Sequence, residues 1–555
     1  MSSKLIGGGW LQPTADVTSI FTVEQFDADH ETMFDTARRF CDEQVWPQLE
    51  DIEQKKPGVM ETLMEQASEL GLTMLDIPEA YDGLELPMPV SMRVLENTSR
   101  EQSMMLSLMV QNGIGSLPVV LFGNEEQKQQ WLPAFASGEK RGCYCLTEPG
   151  SGSDALAASA TAKLSDDGTE WVLNGTKQFI TNAGFAHVGF VFARVVSEVD
   201  GASGFSCFIV PLDAPGVSLG AEEDKLGIKG SSTRQVILQN ARIPRANVLG
   251  QIGRGHVIAF NILNNGRYKL GGTALGSARF AFNAALDYAQ QRKQFGQRIC
   301  DFGMIKRKIG QMAAEIFAVE SAIYRAVGDM DADSQAQGND AAAKLAAMQN
   351  YAMECSIAKI AGSELLGRVA DESLQMFGGY GFLEEYPAAK YVRDARIARI
   401  YEGTNEINRI VMPRTLLKKI SSNEIDLVST DDGDTLSQMK NRFAEYFTAA
   451  RSRYGDSKGF DSNQEVMAHL AEMMIAIYLA ESAQLRLQQM DQPSTVHQQV
   501  VELVTVQNCQ QFNQLAAELG NHFELHLDAI ATNGDVLALR QAIADAVNEE
   551  GHYAL

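Results

Sequence analysis

The sequence predicts an α+β chain that is mainly helical. It has an N-terminal helical domain, a middle antiparallel β domain, a helical bundle and an additional C-terminal helical domain. Two observations carry this. Apolar residues recur at helical spacing from about 24 to 140, short β-branched and aromatic runs replace them over 141–250, and helical periodicity then returns. The 555 residues, 45% hydrophobic and 21% charged, have the composition of ordinary globular cores. At about 100–200 residues per domain, that length suggests roughly three to five domains.

In 24–140, the stretch Glu24 to Ile52 repeats Phe34, Ala37 and Phe40 at helical spacing, and a second helix covers Gly58 to Leu70. Pro78 and Asp82-Gly83 make the next segment a loop. Helices resume over Pro89–Gly113, Leu117–Phe122 and EEQKQQWLPAFASGE. In 141–250 the strands are CYCLTE, EWVLNGTKQFIT, VGFVFARVV, GFSCFIVPL and STRQVILQNARIP, with Asn174-Gly175 as a hairpin turn signal. In 251–420, long helices are expected over Val257–Arg292, Phe302–Met330, Asp340–Gly367 and Ala370–Phe377. Residues 421–437 are acidic and aperiodic and read as a linker. The last domain, 438–555, carries at least three amphipathic helices after 464.

Lys+Arg 47 against Asp+Glu 71 gives a net charge of −24, which excludes a broad basic surface and sequence-independent nucleic-acid binding. No apolar run approaches the roughly 18 residues of a transmembrane helix. The N-terminus lacks a signal-peptide core and is poor in Arg. The seven Cys are scattered and never in a C-x-x-C pair. A soluble, cytoplasmic chain with reduced thiols and no integral membrane segment is expected.

Five stretches carry chemistry. In YCLTEPGSGSD, Tyr144–Asp154, Gly150 and Gly152 flank Ser151, and Ser153 follows. Such a loop offers N–H groups and hydroxyls to an anionic or carbonyl-rich ligand, although alone it is more often a plain turn. In NGTKQFITNAG, Phe179 and Thr181 share one strand face, with Ile180 on the other, and suit a flat heterocycle. Arg292, Lys293 and Arg298 form a basic cluster at a helix C-terminus. They either offset the dipole or grip a phosphate. LNNGR, Leu263–Arg267, puts three poor helix formers in a row inside a helix, through functional constraint, a kink or close packing. Finally, Gly378, Gly379 and Gly381 form a flexible turn, and Glu402 lies on a Tyr-flanked loop ahead of Gly403 and the helix cap Thr404. That placement suits a shielded general base, against the commoner exposed loop Glu. His522 and His526 stand i, i+4, but the H-E-x-x-H order is absent and no metal is expected.

TEPGSGSD, ITNAG, KLGIKGSSTRQV, QRKQFG, GGYGF and YEGTNE, in this order over about 30–415, resemble the acyl-CoA dehydrogenase family. The extra C-terminal helices, FNILNNGR and Gln464 to Arg486 look most like its very-long-chain subgroup. The resemblance implies FAD bound between the β domain and the bundle. Tyr144, Leu146, Thr147, Gly152 and Ser153 would contact it through the first loop, with Phe179, Ile180 and Thr181 at the flavin ring. Arg292, Gln375, Gly378 and Gly379 would reach the FAD of a neighbouring subunit, implying a homodimer or higher homo-oligomer. Phe295, Thr404 and Asn405 complete the implied cofactor set.

Glu402 aligns with the family's base. It would remove the α-proton of a fatty acyl-CoA thioester while the β-hydrogen leaves as hydride to flavin N5, giving trans-2-enoyl-CoA. The flavin ribityl hydroxyl and the backbone N–H of the base residue would hold the thioester carbonyl. Some relatives place the base at the position that here is Gly266, which leaves Glu402. Ser153, Asn264 and Arg267 would hold the CoA side of the substrate, and Tyr401 and Gly403 would line the acyl site. Electrons would pass to an electron-transfer flavoprotein. The subgroup's apolar membrane-binding insert would fall near 421–463, which here is acidic, and Pro118 stands where the subgroup keeps a Gly, beside the small Gly115. Medium to long acyl chains are implied. An acyl-CoA oxidase using oxygen and a non-catalytic acyl-CoA or flavin binding protein are the alternatives.

Overall fold

A computed structural model describes residues 6–13, 17, 19–428, 433–455 and 457–555. The chain divides into two compact units. The first comprises Asp27–Lys269 and Ser334–Gln349. Its helices are α1 (Ala28–Phe40), α2 (Leu49–Glu53), α3 (Val59–Glu69), α4 (Met88–Asn97), α5 (Gln102–Gln111), α6 (Leu117–Phe122) and α7 (Glu125–Ala136). Phe34, Ala37 and Phe40 are buried, as their spacing implies. The Asp27 carboxylate caps α1 by accepting from the Asp29 and His30 N–H groups. Glu24 to Ile52 is not one helix, however. Between α1 and α2 the chain passes through a π turn and a 3₁₀ turn at Trp46–Gln48, where Pro47 has no N–H to continue the ladder. Similarly, the expected helix over Pro89–Gly113 is two, because Glu101 caps α5 by accepting from Met104 N at 2.7 Å.

The strands are β1 (Gly142–Cys145), β2 (Thr161–Leu164), β3 (Glu170–Thr181), β4 (Val188–Val199), β5 (Ala202–Pro211), β6 (Val217–Leu219), β7 (Thr233–Pro244) and β8 (Val248–Leu249). They form one sheet in the order β6-β7-β3-β2-β4-β5-β8, with β1 also on β4. Most pairs are antiparallel, but β1 and β2 run parallel to β4, a departure from the all-antiparallel expectation. Neither is joined to β4 by a tight hairpin, so connectivity does not impose the antiparallel sense.

Asn174-Gly175 is not a hairpin turn either. β3 runs through it, with a register shift against β7 between Leu173 and Gly175. Gly175 has φ 144°, and a Cβ there would lie 2.7 Å from the Ala160 Cβ. The Asn-Gly pair therefore makes a bulge. A comparable constraint explains Gly115: a Cβ on Gly142 would lie 1.9 Å from the Gly115 carbonyl oxygen, and one on Gly115 2.9 Å from that of Gly142. Gly115 is small because two backbones meet there.

Helix α8 (Gly255–Gln291) passes from the first unit into the second, which comprises Met1–Phe26, Leu270–Asp333 and Asn350–Leu555. After α8 come the hairpin strands β9 (Lys293–Gln294) and β10 (Gln297–Arg298). Helices α9 (Gly303–Ala336), α10 (Ala341–Asn350), α11 (Ala352–Phe377), α12 (Pro387–Ala395) and α13 (Asn405–Ser421) follow. The C-terminal helices are α14 (Thr435–Tyr454), α15 (Ser457–Asp461), α16 (Gln464–Gln489), α17 (Thr495–Phe523) and α18 (Val536–Glu550).

The break expected after Gly367 lies instead at Tyr351, and α11 runs straight through Gly367. A single helical Gly costs only about 1 kcal/mol, which burial of Leu365, Leu366, Val369 and Ala370 outweighs. Of the expected linker, Ser421 ends α13, Asp434 caps α14, and residues 429–432 lie outside the described residues. Helix α17 ends at Phe523 with Glu524 in the left-handed region, so His526 shares no helix face with His522.

By length and composition, α16 is apolar enough to cross a membrane, against the expectation that no run is, although Glu472 and Glu481 interrupt it. It is a buried helix of this unit's core, where Met467, Leu470, Met474 and Ile477 join Met412, Phe443, Phe447 and Phe512.

Candidate active site

In the first unit, two of the sequence-predicted segments come together. The Gln178 N–H donates to the Thr147 carbonyl at 2.9 Å, which ties the loop after β1 to the end of β3. Leu146 is buried and Thr147 half-buried, whereas Gly152 and Ser153 are exposed. Tyr144 is buried, its hydroxyl 3.3 Å from the Ala259 carbonyl and its ring edge-on to Phe192. At the end of β3, Ile180 is buried, Thr181 half-buried and Phe179 60% exposed. Phe179 also has φ 58°, at a second register shift between Lys177 and Ile180. An exposed aromatic held in the left-handed region is strained, and such strain concentrates at binding sites. The simple alternation expected for this strand is therefore replaced by a bulge that turns Phe179 out.

LNNGR lies inside α8 without a break. Side chains offset its low helix propensity: Asn264 donates to the Met348 carbonyl at 3.2 Å, Arg267 to Asn264 Oδ1 at 2.8 Å, and Asn265 to the Tyr268 hydroxyl at 2.7 Å. Asn264 and Arg267 are buried and bonded to each other, so any ligand would meet them as a pair. Gly266 is buried.

In the second unit, Arg292, Gly378 and Gly379 line one open cavity of about 390 Å³ together with Tyr288, Tyr380 and Leu383. The basic cluster is sorted by its partners. Arg298 makes a two-pronged bond to Asp301 at 2.9 and 3.1 Å, whereas Arg292 makes no ion pair among the described residues. Its guanidinium stands 5.7 Å from the Tyr380 ring centre. Nothing would meet a Cβ on Gly378 or Gly379, so their backbone is open to a ligand. Gln375 is exposed in the last turn of α11. Phe295 is 95% exposed at the tip of the β9–β10 hairpin, where it and Gly296 have φ 52° and 82°, as a two-residue hairpin turn requires.

Glu402 (φ 58°) and Gly403 (φ 78°) form two successive left-handed residues before α13. Only the Gly is at ease there, so the turn holds a half-buried carboxylate in a fixed, strained place. Thr404 caps α13, its hydroxyl accepting from Ile407 N at 3.2 Å, and the Asn408 amide donates to the Gly403 and Thr404 carbonyls at 2.9 and 3.0 Å. The Thr404 hydroxyl also donates to the Glu406 carboxylate. Burial raises the pKa of the Tyr401 phenol, and the Glu402 and Asp394 carboxylates add to this. The Asn405 carboxamide is turned into the bundle. Its oxygen accepts from Lys359, and its nitrogen donates to Ser363 and Glu364 at 3.1 and 3.0 Å. Its side chain is therefore structural, which leaves only its backbone for a cofactor.

Sequence reasoning missed Lys177 and Glu148, a fully buried pair 2.7 Å apart. The signal was present: Lys177 falls among the inward positions of β3 that Trp171 and Leu173 occupy. It also missed Tyr288 and Tyr380, which stand far apart in the sequence and line the same cavity.

Residues 27–139, 143–241 and 253–417 match the N-terminal, middle and C-terminal domains of acyl-CoA dehydrogenases, and 448–525 matches a further acyl-CoA dehydrogenase C-terminal domain. A probable acyl-CoA dehydrogenase of Bacillus subtilis is 42% identical over 509 residues, 86% of this chain and 84% of that one. The crystal structure of an acyl-CoA dehydrogenase complexed with FAD from Bacillus anthracis superposes with a TM-score of 0.92 at 38% identity. It covers 99% of this chain and 100% of that one, so the likeness includes the added C-terminal helices. The likeness to the very-long-chain subgroup is only partial: the very long-chain specific enzyme of Macaca fascicularis is 37% identical over 358 residues, 63% of this chain and 52% of that one. On these matches and this fold, the chain belongs to the acyl-CoA dehydrogenase family.

Proposed function

We propose that this protein is an FAD-dependent acyl-CoA dehydrogenase that converts medium- to long-chain fatty acyl-CoA to trans-2-enoyl-CoA with Glu402 as the base. The observation that carries it is the left-handed Glu402–Gly403 turn ahead of the Thr404 cap, which fixes one carboxylate. The residues present fit the cofactor. Phe179 offers an exposed ring, Gly152 and Ser153 open backbone and hydroxyl, and the Gly378–Gly379 cavity a guanidinium with no ion pair among the described residues. In this reading Tyr144, Leu146, Thr147, Gly152, Ser153, Phe179, Ile180, Thr181 and Thr404 hold FAD, with Asn405 contributing backbone.

The Glu402 N–H donates to the thioester carbonyl and acidifies the α-C–H. A Glu402 carboxylate oxygen takes the α-proton. Bound FAD supplies the acceptor for the β-hydride. Ser153 and the Asn264–Arg267 pair hold the CoA side, and Tyr401 and Gly403 line the acyl site. The flavin's electrons go to an electron-transfer flavoprotein. In this reading the domains are 24–140, 141–250, 251–420 and 438–555. Seven free, buried cysteines accord with a reducing cytoplasm.

The test is anaerobic titration with saturated straight-chain acyl-CoAs of increasing length. Flavin bleaching is expected, with the best substrate in the medium to long range. A protein that holds FAD and bleaches with none of them sinks the reading, and peroxide release under air as the main fate of the electrons would make it an oxidase.

Arg292, Phe295, Gln375, Gly378 and Gly379 serve the FAD of a second copy in this reading. The exposed Phe295 and the 82%-exposed Phe382 beside the cavity are the kind of apolar surface a homodimer covers. Phe295→Asp should shift the protein toward monomer in sedimentation and weaken FAD retention. Unchanged assembly would remove the hairpin from the interface.

A further inference from the structure

We propose that Lys177, paired with Glu148, is a positioning residue for the cofactor, pinning the 146–153 loop and the Phe179 bulge to each other as one cradle. This rests on the reading that those two segments hold FAD.

Lys177 Nζ donates to the Leu146 carbonyl at 3.2 Å and to Glu148 Oε1 at 2.7 Å. Glu148 in turn accepts from the Ser159 N–H at 2.6 Å, the Ser159 hydroxyl at 2.7 Å and the Ala160 N–H at 3.0 Å. Glu148 and Ser151 exchange backbone bonds across the loop at 2.9 and 3.1 Å. The loop's base is thus gathered on one carboxylate, and that carboxylate is held by one ammonium from β3.

Position along the chain gives the pair its consequence. Lys177 and Gln178 both bond to the 146–148 stretch, and the next residue is the strained Phe179. A left-handed aromatic persists only where its surroundings over-determine it. Moving the ammonium would therefore move the loop and release the bulge together. Well-packed apolar side chains often replace a buried ion pair with no loss of stability, so stability alone gives little reason for a fully buried cation here. Geometry does: a cation binds a carbonyl and a carboxylate at once, and a methylene chain binds neither.

Three variants test this: Lys177→Met, Glu148→Gln and the apolar double variant Lys177→Met/Glu148→Leu. Each is purified as holoenzyme where it holds flavin, stripped, and titrated with FAD. Flavin fluorescence, the visible circular dichroism of bound flavin and apoprotein thermal unfolding are read. FAD affinity should fall by on the order of tenfold or more in all three, as expected when a charge-assisted bond that shapes a site is lost. The visible dichroism should change with it. The double variant should unfold near the parent temperature yet keep the weakened affinity and altered spectrum. If either single variant fails to fold, the double variant decides alone. Parent-like affinity and dichroism in the double variant would overturn the proposal and leave the pair a mere filler. A double variant that is itself unfolded would also overturn it, since the pair would then be needed for the fold. A parent that takes up no FAD would instead overturn the functional reading on which this rests.

Discussion

Glu402→Gln is expected to abolish turnover, by about 10²–10⁴-fold or more in the rate of flavin reduction, while FAD stays bound. The amide has the size of the carboxylate but cannot take a proton from carbon. No second carboxylate stands in on α8, where the alternative position is the buried Gly266. The bonds that Thr404 and Asn408 make around the turn are kept in this variant. Its backbone strain, on the order of 1–3 kcal/mol, is the same for Gln as for Glu. The measurement is single-turnover reduction under anaerobic conditions beside the flavin content of the purified variant. A variant reduced at the parent rate would remove Glu402 from the chemistry. One that loses FAD would make it a structural residue instead.

Arg325→Leu should produce the largest loss of stability, about 3–5 kcal/mol, the range for removing one partner of a buried ion pair. Arg325 is 1% exposed on α9. It binds Glu481 of α16 at 2.9 Å and Ser482 at 3.2 Å, lies 3.9 Å from Asp329, and stands 4.5 Å from the Tyr478 ring centre. Burial pushes Asp329 up to about 7, against the lowering effect of Arg325, so removing the guanidinium drives it higher. An acid whose pKa is raised on folding keeps a proton that the unfolded chain releases. Stability therefore falls as pH rises from the unfolded value through the folded one. Below about pH 7 parent and variant lose stability in parallel, so the deficit of Arg325→Leu should deepen only above that value and be larger at about pH 8 than at about pH 6. Thermal unfolding at the two pH values, with hydrogen exchange across α16, checks both magnitude and sign. An equal deficit at both would mean that removing Arg325 leaves the titration of Asp329 unchanged.

Much of the fold was legible in the sequence. The switch from helical to β-strand grammar near 141 and back near 255 corresponds to where β1 and α8 begin, because apolar periodicity is the direct imprint of which face is buried. The Thr404 cap depends on a few adjacent residues, so local chemistry gives it away. Glu402 and the FAD segments were named from motif resemblance, which reads a family's geometry without showing it.

What the tertiary structure decided were the features in which distant segments choose between locally equal options. Asn174-Gly175 carries a hairpin signal, yet Ala160 packing against Gly175 and the pairing of Asn174 with Asn240 make it a bulge. Asn405 reads as a cofactor residue in its motif, yet Lys359, Ser363 and Glu364 from α11 take its carboxamide. Arg292 and Arg298 are alike in sequence, and only Asp301 separates the neutralised one from the other. The direction of β1 and β2, the straight run of α11 and the Lys177–Glu148 clamp belong to the same class. Local propensities differ by only a few tenths of a kcal/mol to about 1 kcal/mol per residue. A buried charge left unpaired or two overlapping atoms cost several times that, so the partner brought by the fold, not the local sequence, makes the choice.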